Sequence, residues 1–274
     1  MVDTTAGRVR AAQLLQDDPR RPSPSHVRSV CVVGMGYIGL PTAATLAARG
    51  YQVHGVDVRP DVVDAIGQGQ THIHEPQLPE LVQQVVKAGR LTVSPEPRNA
   101  DAFLLCVPTP FRHDHAPDLS YVEAAGRAIR PFVRKGNLVI LESTSPPGTT
   151  ENVVAGSAVP DNLTVGRDVF VAYCPERVLP GRILIEVVEN DRVVGGVTPA
   201  CARQVKSFYE TFVSGSVLPT SARTAEMVKL VENAYRDVNI AFANELSMMS
   251  ATRGTSTPSL SAVTSTSTSS PVSR

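Results

Sequence analysis

The sequence predicts an α/β protein in which a doubly wound parallel sheet is followed by one long helix. From residue 28 to about 215, short β-branched runs alternate with segments whose apolar residues recur at helical spacing. Strands and helices that alternate in this way build a parallel sheet covered on both faces. From about residue 222 to 249 the helical pattern continues without another strand, so we expect this helix to leave the sheet.

Five segments are predicted to be strands because they are short, apolar and rich in β-branched residues. They are SVCVV (29–33), YQVHGV (51–56), AFLLCV (102–107), LVILES (138–143) and VFVAYC (169–174). The first helix is predicted to end before Gly50, which suits a C-terminal cap. The last helix carries an apolar face that includes Met227, Leu230, Val231, Ala234, Val238 and Ala241.

The composition argues against several kinds of partner. Lys and Arg total 26, as do Asp and Glu, so no net charge would attract nucleic acid or an anionic membrane. No apolar run reaches the roughly 18 residues of a membrane span, and the N-terminus carries no recognisable targeting signal. The four cysteines show no CxxC spacing and are expected to be reduced. We expect a cytoplasmic protein that binds neither nucleic acid nor a membrane.

The two ends of the chain differ in composition from its middle. Residues 1–27 are polar and rich in proline, and residues 251–274 are rich in Ser and Thr, so both are expected to be disordered. The predicted organisation is an N-terminal extension (1–27), a sheet domain (28–215), the start of a helical domain (216–250) and a Ser/Thr-rich tail (251–274).

A glycine-rich turn joins the first predicted strand to the first helix. Its sequence is Gly34-Met35-Gly36-Tyr37-Ile38-Gly39. In a Rossmann-type fold the first glycine permits the tight turn, the second lets the backbone approach a pyrophosphate, and the third allows close packing of helix on strand. A ligand-free tight turn would use similar glycines. The strand before this turn and the helix after it favour dinucleotide binding.

Asp57 indicates which dinucleotide is bound. It follows the second predicted strand, where a carboxylate accepts hydrogen bonds from the adenosine ribose and repels a 2′-phosphate. The sequence therefore predicts NAD as the cofactor, in preference to NADP. Arg59 is a candidate contact to the adenine, although an ordinary surface arginine would give the same sequence.

Several longer segments resemble one family. They are VVGMGYIGLPTA (32–43), EPQLPELV (75–82), CVPTP (106–110), ESTSPPGTT (142–150), YCPERVLPG (173–181) and AEMVKLVENAYRDVNIAFANEL (225–246). In this order they resemble the UDP-glucose/GDP-mannose dehydrogenase family over residues 28 to about 249. Within that family, PERVLPG (175–181) and PDLSYVEAA (117–125) are most similar to the UDP-N-acetylmannosamine dehydrogenases.

The resemblance implies an activity. Members of the family oxidise a primary alcohol of a nucleotide sugar to a carboxylate in two steps, with two NAD consumed and an enzyme-held aldehyde between the steps. The expected substrate is a UDP-sugar, UDP-N-acetylmannosamine first and UDP-glucose as the alternative. The resemblance also implies a homodimer, although the oligomeric state of this chain is left open.

Candidate site residues follow three of the predicted strands at their carboxyl edge. Thr109 and Thr144 are placed to contact the cofactor, and Thr144 is also a catalytic candidate; both would equally suit turns beside proline. Glu176 is a candidate to handle a proton through a bound water, or else a surface acid in a turn. By resemblance, Arg177 and Val178 contact the substrate.

The long helix carries the remaining candidates. Lys229 and Asn233 are four residues apart and share one helix face, with apolar residues around the lysine. By resemblance they stabilise the oxyanion of the reaction, or Lys229 carries protons, and Arg236 reaches the nucleotide sugar. A solvated polar face would show the same spacing.

The histidines do not predict a metal site. His72 and His74 form one HxH pair and His113 and His115 another, but alternate residues of a strand point to opposite sides. No cysteine or carboxylate completes either pair at close spacing. We expect no metal, and we expect His54 to be packed within a strand.

Two functional interpretations of the chain are open. The resemblance implies a nucleophilic cysteine in a GGHC segment and a second nucleotide-binding domain, neither of which is found in the sequence. We therefore expect the sequence to be a truncated or frameshifted reading that does not turn over alone. The chain is then either a dehydrogenase that relies on a partner, or an NAD-binding remnant without turnover. A third interpretation, a short hydroxyacid-type dehydrogenase that is complete in itself, is disfavoured because it would need an all-helical second domain, which the sequence does not indicate.

Overall fold

The computed structural model describes residues 26–113 and 116–252. The predicted N-terminal extension and Ser/Thr-rich tail therefore lie outside the described residues, apart from the few that adjoin the fold. The chain divides into two units, Met1–Lys229 and Leu230–Arg274. The first unit holds the sheet, and the described part of the second is helical.

Strands and helices alternate through the first unit. The strands are β1 (Ser29–Val33), β2 (Gln52–Val56), β3 (Leu91–Ser94), β4 (Ala102–Leu105), β5 (Leu138–Leu141), β6 (Phe170–Tyr173), β7 (Arg192–Gly196) and β8 (Val217–Ser221). The α-helices are α1 (Gly39–Ala48), α2 (Pro60–Gly67), α3 (Leu78–Lys87), α4 (Ser120–Ile129), α5 (Ala155–Ala158), α6 (Ile183–Glu189), α7 (Pro199–Tyr209) and α8 (Ala222–Thr252). A π-helical turn, Thr150–Val154, precedes α5.

Across the described residues the strands form one eight-stranded sheet in the order β3-β2-β1-β4-β5-β6-β7-β8. Strands β1 to β6 are parallel, β7 pairs antiparallel with β6, and β8 pairs parallel with β7. The central strand β1 aligns Val30 with Val53 of β2 and with Ala102 of β4. Between β1 and β4 the strand order reverses, and in such sheets ligands bind at the carboxyl ends of the strands beside this point. The predicted fold class is confirmed.

The sheet is buried on both faces because alternate side chains of each strand enter different cores. On one face, Val30 and Val32 of β1 pack in a core that includes side chains of α1, α3 and α7. On the other face, Cys31 and Val33 join a core formed with α4, the segment 153–159 and Ala225 of α8. Helix α8 therefore begins on the sheet before it continues into the second unit.

The sheet extends further than the sequence indicated. The five predicted strands correspond to β1, β2, β4, β5 and β6, whereas β3, β7 and β8 were not predicted. The last of these, β8, lies past residue 215, where we expected the sheet domain to end. Helix α1 is followed by Gly50 at φ 96°, in the left-handed region that the predicted cap requires.

Strand β7 lies close under the start of α8. A Cβ atom at Gly195 would be 2.6 Å from the Cβ atom of Ala225 and 2.6 Å from the carbonyl oxygen of Ser221. Real Cβ atoms do not approach neighbours this closely, so only glycine fits at this crossing.

The described part of the second unit, residues 230–252 of α8, exposes large apolar side chains. Tyr235, Val238, Phe242 and Leu246 are among them, with exposed fractions between 47% and 66%. A search of the described helices for one long and apolar enough to cross a membrane returned none.

Candidate functional site

The glycine turn after β1 is shaped by contacts that exclude side chains. Gly34 has φ 93°, and a Cβ there would lie 2.6 Å from the carbonyl oxygen of Cys106. A Cβ at Gly39 would overlap the carbonyl oxygen of Gly34 at 1.8 Å. At Gly36, by contrast, no described atom lies within 4 Å of the position of a Cβ, so this part of the turn faces open space. The turn thus offers room where a pyrophosphate would approach the backbone.

Two other predicted cofactor residues lie between Gly36 and Gly39. Tyr37 is 41% exposed and Ile38 is half-buried at the start of α1. Within residues 26–113 and 116–252, the backbone N–H groups of Tyr37 and Ile38 donate to no protein acceptor. Unpaired N–H groups at a helix start are the donors that bind phosphate in dinucleotide folds.

Asp57 lies beside the same turn, directly after β2. Its Oδ2 accepts a hydrogen bond from the Met35 N–H at 2.9 Å, and its Oδ1 accepts one from the Arg59 N–H at 3.0 Å. The carboxylate is therefore oriented toward the glycine turn, as ribose recognition would need. The guanidinium of Arg59 is exposed and pairs with Asp61, whose hydrogen bond raises the pKa of Arg59. This pairing gives no support for an adenine contact by Arg59.

Thr109 and Thr144 are brought together across neighbouring strands. The Thr109 hydroxyl donates to the Thr144 carbonyl oxygen at 2.7 Å. A second hydrogen bond joins the same two segments after β4 and β5, since the Ser143 hydroxyl donates to the carbonyl oxygen of Val107 at 2.6 Å. Both predicted threonines are half-buried at the carboxyl edge of the parallel strands, beside the point where the strand order reverses.

Glu176 is not a surface acid. Its side chain is 3% exposed, and its Oε2 lies 2.5 Å from Nη1 of Arg192, which is itself 1% exposed. Its Oε1 accepts a hydrogen bond from the Arg177 N–H at 2.7 Å. Both carboxylate oxygens are therefore engaged by protein donors. A role for Glu176 as a base requires that one of these contacts opens.

Arg177 and Val178, which follow Glu176 in the chain, were predicted to contact the substrate. The Arg177 guanidinium reaches the carbonyl oxygen of Asp191 at 3.4 Å, and Asn190 donates its side-chain amide to the Arg177 carbonyl oxygen at 2.9 Å. Val178 is half-buried and packs against the core. The structure thus leaves Arg177 and Val178 at the rim of the site, and their predicted contact with a substrate remains a prediction.

A second buried carboxyl group, which the sequence analysis did not identify, lies in the same region. Glu142 accepts hydrogen bonds from the Tyr209 hydroxyl at 2.6 Å and from the Cys106 thiol at 3.3 Å. Burial, and next the negative charge of Glu176, raise the pKa of Glu142 to about 7. The Arg192 guanidinium lies over the Tyr209 ring at 5.7 Å. Two carboxyl groups thus share the neighbourhood of one buried cation.

Lys229 joins the site through the backbone of Glu176. Its Nζ donates to the Glu176 carbonyl oxygen at 2.7 Å, so the half-buried ammonium lies at the carboxyl end of β6. Asn233 and Arg236 follow on α8 within the second unit, where both are exposed. Lys229 is therefore placed with Glu176, while the roles of Asn233 and Arg236 remain predictions.

Three of the four cysteine thiols are not activated. Burial raises the pKa of Cys31 to about 11 and that of Cys174 to about 12. Burial, followed by the charge of Glu142, raises the pKa of Cys106 well above its usual value. A reactive thiol needs a lowered pKa and access to solvent, so none of these three has the character of a nucleophile. Cys201 is also buried.

His72 lies near two of the predicted cofactor residues, since the charges of Arg59 and Asp57 act on its imidazole, whereas His54 lies within the sheet. His54 is buried on β2, where its ring nitrogens lie 2.9 Å from the hydroxyls of Thr92 and Ser94. Burial lowers the pKa of His54. Its packed position in a strand agrees with the sequence analysis. Of the two HxH pairs, His115 lies outside the described residues; a search of the described part found no group of three potential metal ligands.

The fold and the glycine turn define a dinucleotide-binding domain of the Rossmann type. The sequence profile of the UDP-glucose/GDP-mannose dehydrogenase family matches the chain twice, its NAD binding domain at residues 28–213 and its central domain at residues 223–271. The chain belongs to the UDP-glucose/GDP-mannose dehydrogenase family, and the predicted family and NAD cofactor are confirmed.

Individual relatives agree with this assignment. The chain is 54% identical over 229 residues to an NDP-N-acetyl-D-galactosaminuronic acid dehydrogenase of Ralstonia solanacearum, covering 81% of this chain and 54% of the relative. It is 51% identical to the UDP-N-acetyl-D-mannosamine dehydrogenase of Escherichia coli K12, with 82% and 56% covered. A solved UDP-N-acetyl-mannosamine dehydrogenase from Staphylococcus aureus gives a TM-score of 0.76 at 47% identity, with 81% and 54% covered. The chain spans about half the length of these relatives.

Proposed function

We propose that this chain is the NAD-binding part of a nucleotide-sugar 6-dehydrogenase that converts UDP-N-acetylmannosamine to its uronic acid. The observation that carries the proposal is the meeting of Lys229 with the backbone of Glu176, at the sheet edge where Thr109 and Thr144 also meet. An ammonium and hydroxyl groups beside a dinucleotide turn are suited to the oxidation of an alcohol, because they can stabilise charge and orient the reacting oxygen. The named relatives support the choice of sugar.

The cofactor fits the residues that would hold it. Gly36 leaves open space at the turn, the N–H groups of Tyr37 and Ile38 are unpaired within the described residues, and Asp57 is oriented toward the turn. When bound, NAD supplies the acceptor for the hydride that leaves the sugar carbon. Oxidation of the alcohol to the acid removes two hydrides from one carbon, so two NAD are consumed and water supplies the second oxygen.

The side chains then handle charge and protons. The Lys229 ammonium can stabilise negative charge that develops on the substrate oxygen, because it is half-buried and partly withdrawn from bulk water. Thr144 can orient that oxygen through its hydroxyl. Asn233, Arg236, Arg177 and Val178 are proposed as contacts to the nucleotide sugar on the strength of the family resemblance.

A second candidate function is NAD binding without turnover. It is favoured by the character of the thiols, since the pKa values of Cys31, Cys106 and Cys174 are raised and the resemblance implies a thiol nucleophile. UDP-glucose is the alternative substrate if turnover occurs. A homodimer and a cytoplasmic location complete the proposal, supported by the exposed apolar side chains of α8 and by four unpaired cysteines.

NADH absorbance measured with the purified chain separates these candidates. The first proposal expects little NADH from the chain alone. Once the missing half of a family member is added in trans, it expects NADH from UDP-N-acetylmannosamine in excess of that from UDP-glucose, with two NADH formed per sugar. Lys229→Met should abolish this signal while leaving NAD affinity in calorimetry unchanged. NAD binding without NADH formation, even with that half added, would favour the second candidate, and a chain that binds no NAD would refute both.

A further inference from the structure

A carboxylate with no exposure to solvent ties the start of α8 to the loop after β5. Glu226 is 0% exposed. Its Oε2 accepts a hydrogen bond from the Gly148 N–H at 2.5 Å, and its Oε1 accepts two from Thr150, from the N–H at 2.8 Å and from the hydroxyl at 2.7 Å. A buried carboxylate is tolerated only when donors satisfy it, and these three donors do so.

On the loop side, this connection reaches the residues that we assign to the site. Gly148 adopts φ 96°, so the chain turns sharply here and presents its N–H to Glu226. Four residues earlier, the carbonyl oxygen of Thr144 holds the Thr109 hydroxyl. The short segment between Thr144 and Gly148 contains two prolines, which restrict its backbone. A shift of Gly148 is therefore transmitted to Thr144.

On the helix side, the same carboxylate lies one turn from the lysine. Glu226 and Lys229 are three residues apart, so they are neighbours on the surface of α8. A second contact joins the same two segments, since Arg223 Nε donates to Glu151 at 2.7 Å. The Arg223 side chain is 62% exposed, and such surface pairs contribute little. The buried carboxylate is therefore the stronger connection.

We propose that Glu226 is a positioning residue of the candidate active site, which fixes the Lys229 amine relative to the loop that carries Thr144. The inference rests on the proposed function for the roles of Lys229 and Thr144. An amine and a hydroxyl that act on one substrate carbon must be held within about 0.5 Å of their working positions. Glu226 provides this constraint without touching the substrate itself.

The test measures how readily the Lys229 amine reacts with acetic anhydride. The acetylated fraction of the peptide that contains Lys229 is read by mass spectrometry. The wild type is compared with Glu226→Gln and Thr150→Val. Glutamine opposes the Gly148 and Thr150 donors with an amide, whereas Thr150→Val removes one hydroxyl donor and preserves the side-chain shape. Lys206 is the internal reference, because it lies on α7, where its Nζ donates to the Val217 carbonyl oxygen at 2.9 Å.

We expect the ratio of Lys229 to Lys206 labelling to rise about tenfold in Glu226→Gln, as when a hydrogen bond to a charged group is lost. Thr150→Val should raise it less but in the same direction. If Glu226→Gln does not fold, Thr150→Val decides the question. An unchanged labelling ratio in the folded variants, even with a lower Tm, would overturn the proposal and leave Glu226 a purely structural residue.

The labelling experiment does not require turnover. A wild type that fails to bind NAD would refute the proposed function, yet the labelling ratio would still show whether Glu226 positions Lys229. The two failures are therefore distinguishable.

Discussion

Replacement of Glu142 by glutamine should change how the stability of the sheet unit depends on pH. Glu142 is buried beside Cys106 and Tyr209, and its pKa is raised to about 7 by burial and by the charge of Glu176. Below neutral pH, the group therefore holds a proton in the folded chain. Glutamine resembles the protonated acid in size and lack of charge, and it cannot ionise.

The magnitude follows from the two pKa values. The ordinary pKa is 4.5 and the folded value is about 7, a difference equivalent to about 3 kcal/mol at roughly 1.4 kcal/mol per unit. Because the folded pKa is the higher one, the folded chain binds more protons than the unfolded chain between these values. The free energy of unfolding that this group contributes is present below pH 4.5 and is lost as the pH rises through about 7.

Urea unfolding at half-unit steps from pH 5 to pH 8 would measure this effect. Relative to the wild type, Glu142→Gln should gain stability by about 1.4 kcal/mol per pH unit up to pH 7 and then level off, for a total of about 2 to 3 kcal/mol. Glu123→Gln is the control, since Glu123 lies in an exposed ion pair with Arg127. Parallel curves for wild type and Glu142→Gln would refute the reasoning and place the proton on another group.

Three further predictions follow from the site. Asp57→Ala should weaken NAD binding by about 1–3 kcal/mol in calorimetry and reduce the ratio of NAD affinity to NADP affinity. Asp64→Ala, on the exposed face of α2, should leave both affinities unchanged. Arg192→Met should lower the free energy of unfolding by about 3–5 kcal/mol because it strands a buried carboxylate, and added Glu176→Gln should restore part of this in chemical denaturation. Phe242→Lys should reduce self-association in sedimentation, because Phe242 is 63% exposed on α8. If the variant and the wild type sediment alike, this face of α8 is not the self-association surface.

The strands that could be predicted are those with continuous apolar sequence. β1, β4 and β5 are buried on both faces, and such strands are almost continuously apolar, as in SVCVV, AFLL and LVIL. The missed strands break this pattern for different reasons. Strand β7 begins with Arg192 and ends in two glycines, and β8 contains Pro219 and is mostly exposed. These two segments are strands because they form hydrogen bonds with neighbouring strands, β7 with β6 and β8 with β7.

The cofactor side of the site was also accessible to sequence reasoning, because it is local. The glycines and Asp57 lie within one strand-helix-strand unit, and the carboxyl-edge rule brought Thr109 and Thr144 together. The network of Glu142, Arg192 and Tyr209 was missed because its members come from separate elements that meet only in the folded sheet. One signal was available, since Glu142 ends an apolar strand where a carboxyl group must find a partner.

The reversed direction of β7 and β8 determines how the lysine reaches its place. These two strands run antiparallel to the other six. The chain therefore enters α8 at the amino ends of the parallel strands, opposite the carboxyl ends where the site lies. The helix must then return across the sheet face, and the step from Ala222 to Lys229 advances it by about 10 Å. Gly195 lies beneath this return path, where one methyl group would act as a spacer and tilt the helix away from the sheet. The alignment of the Lys229 amine therefore depends on a residue that has no functional group at all.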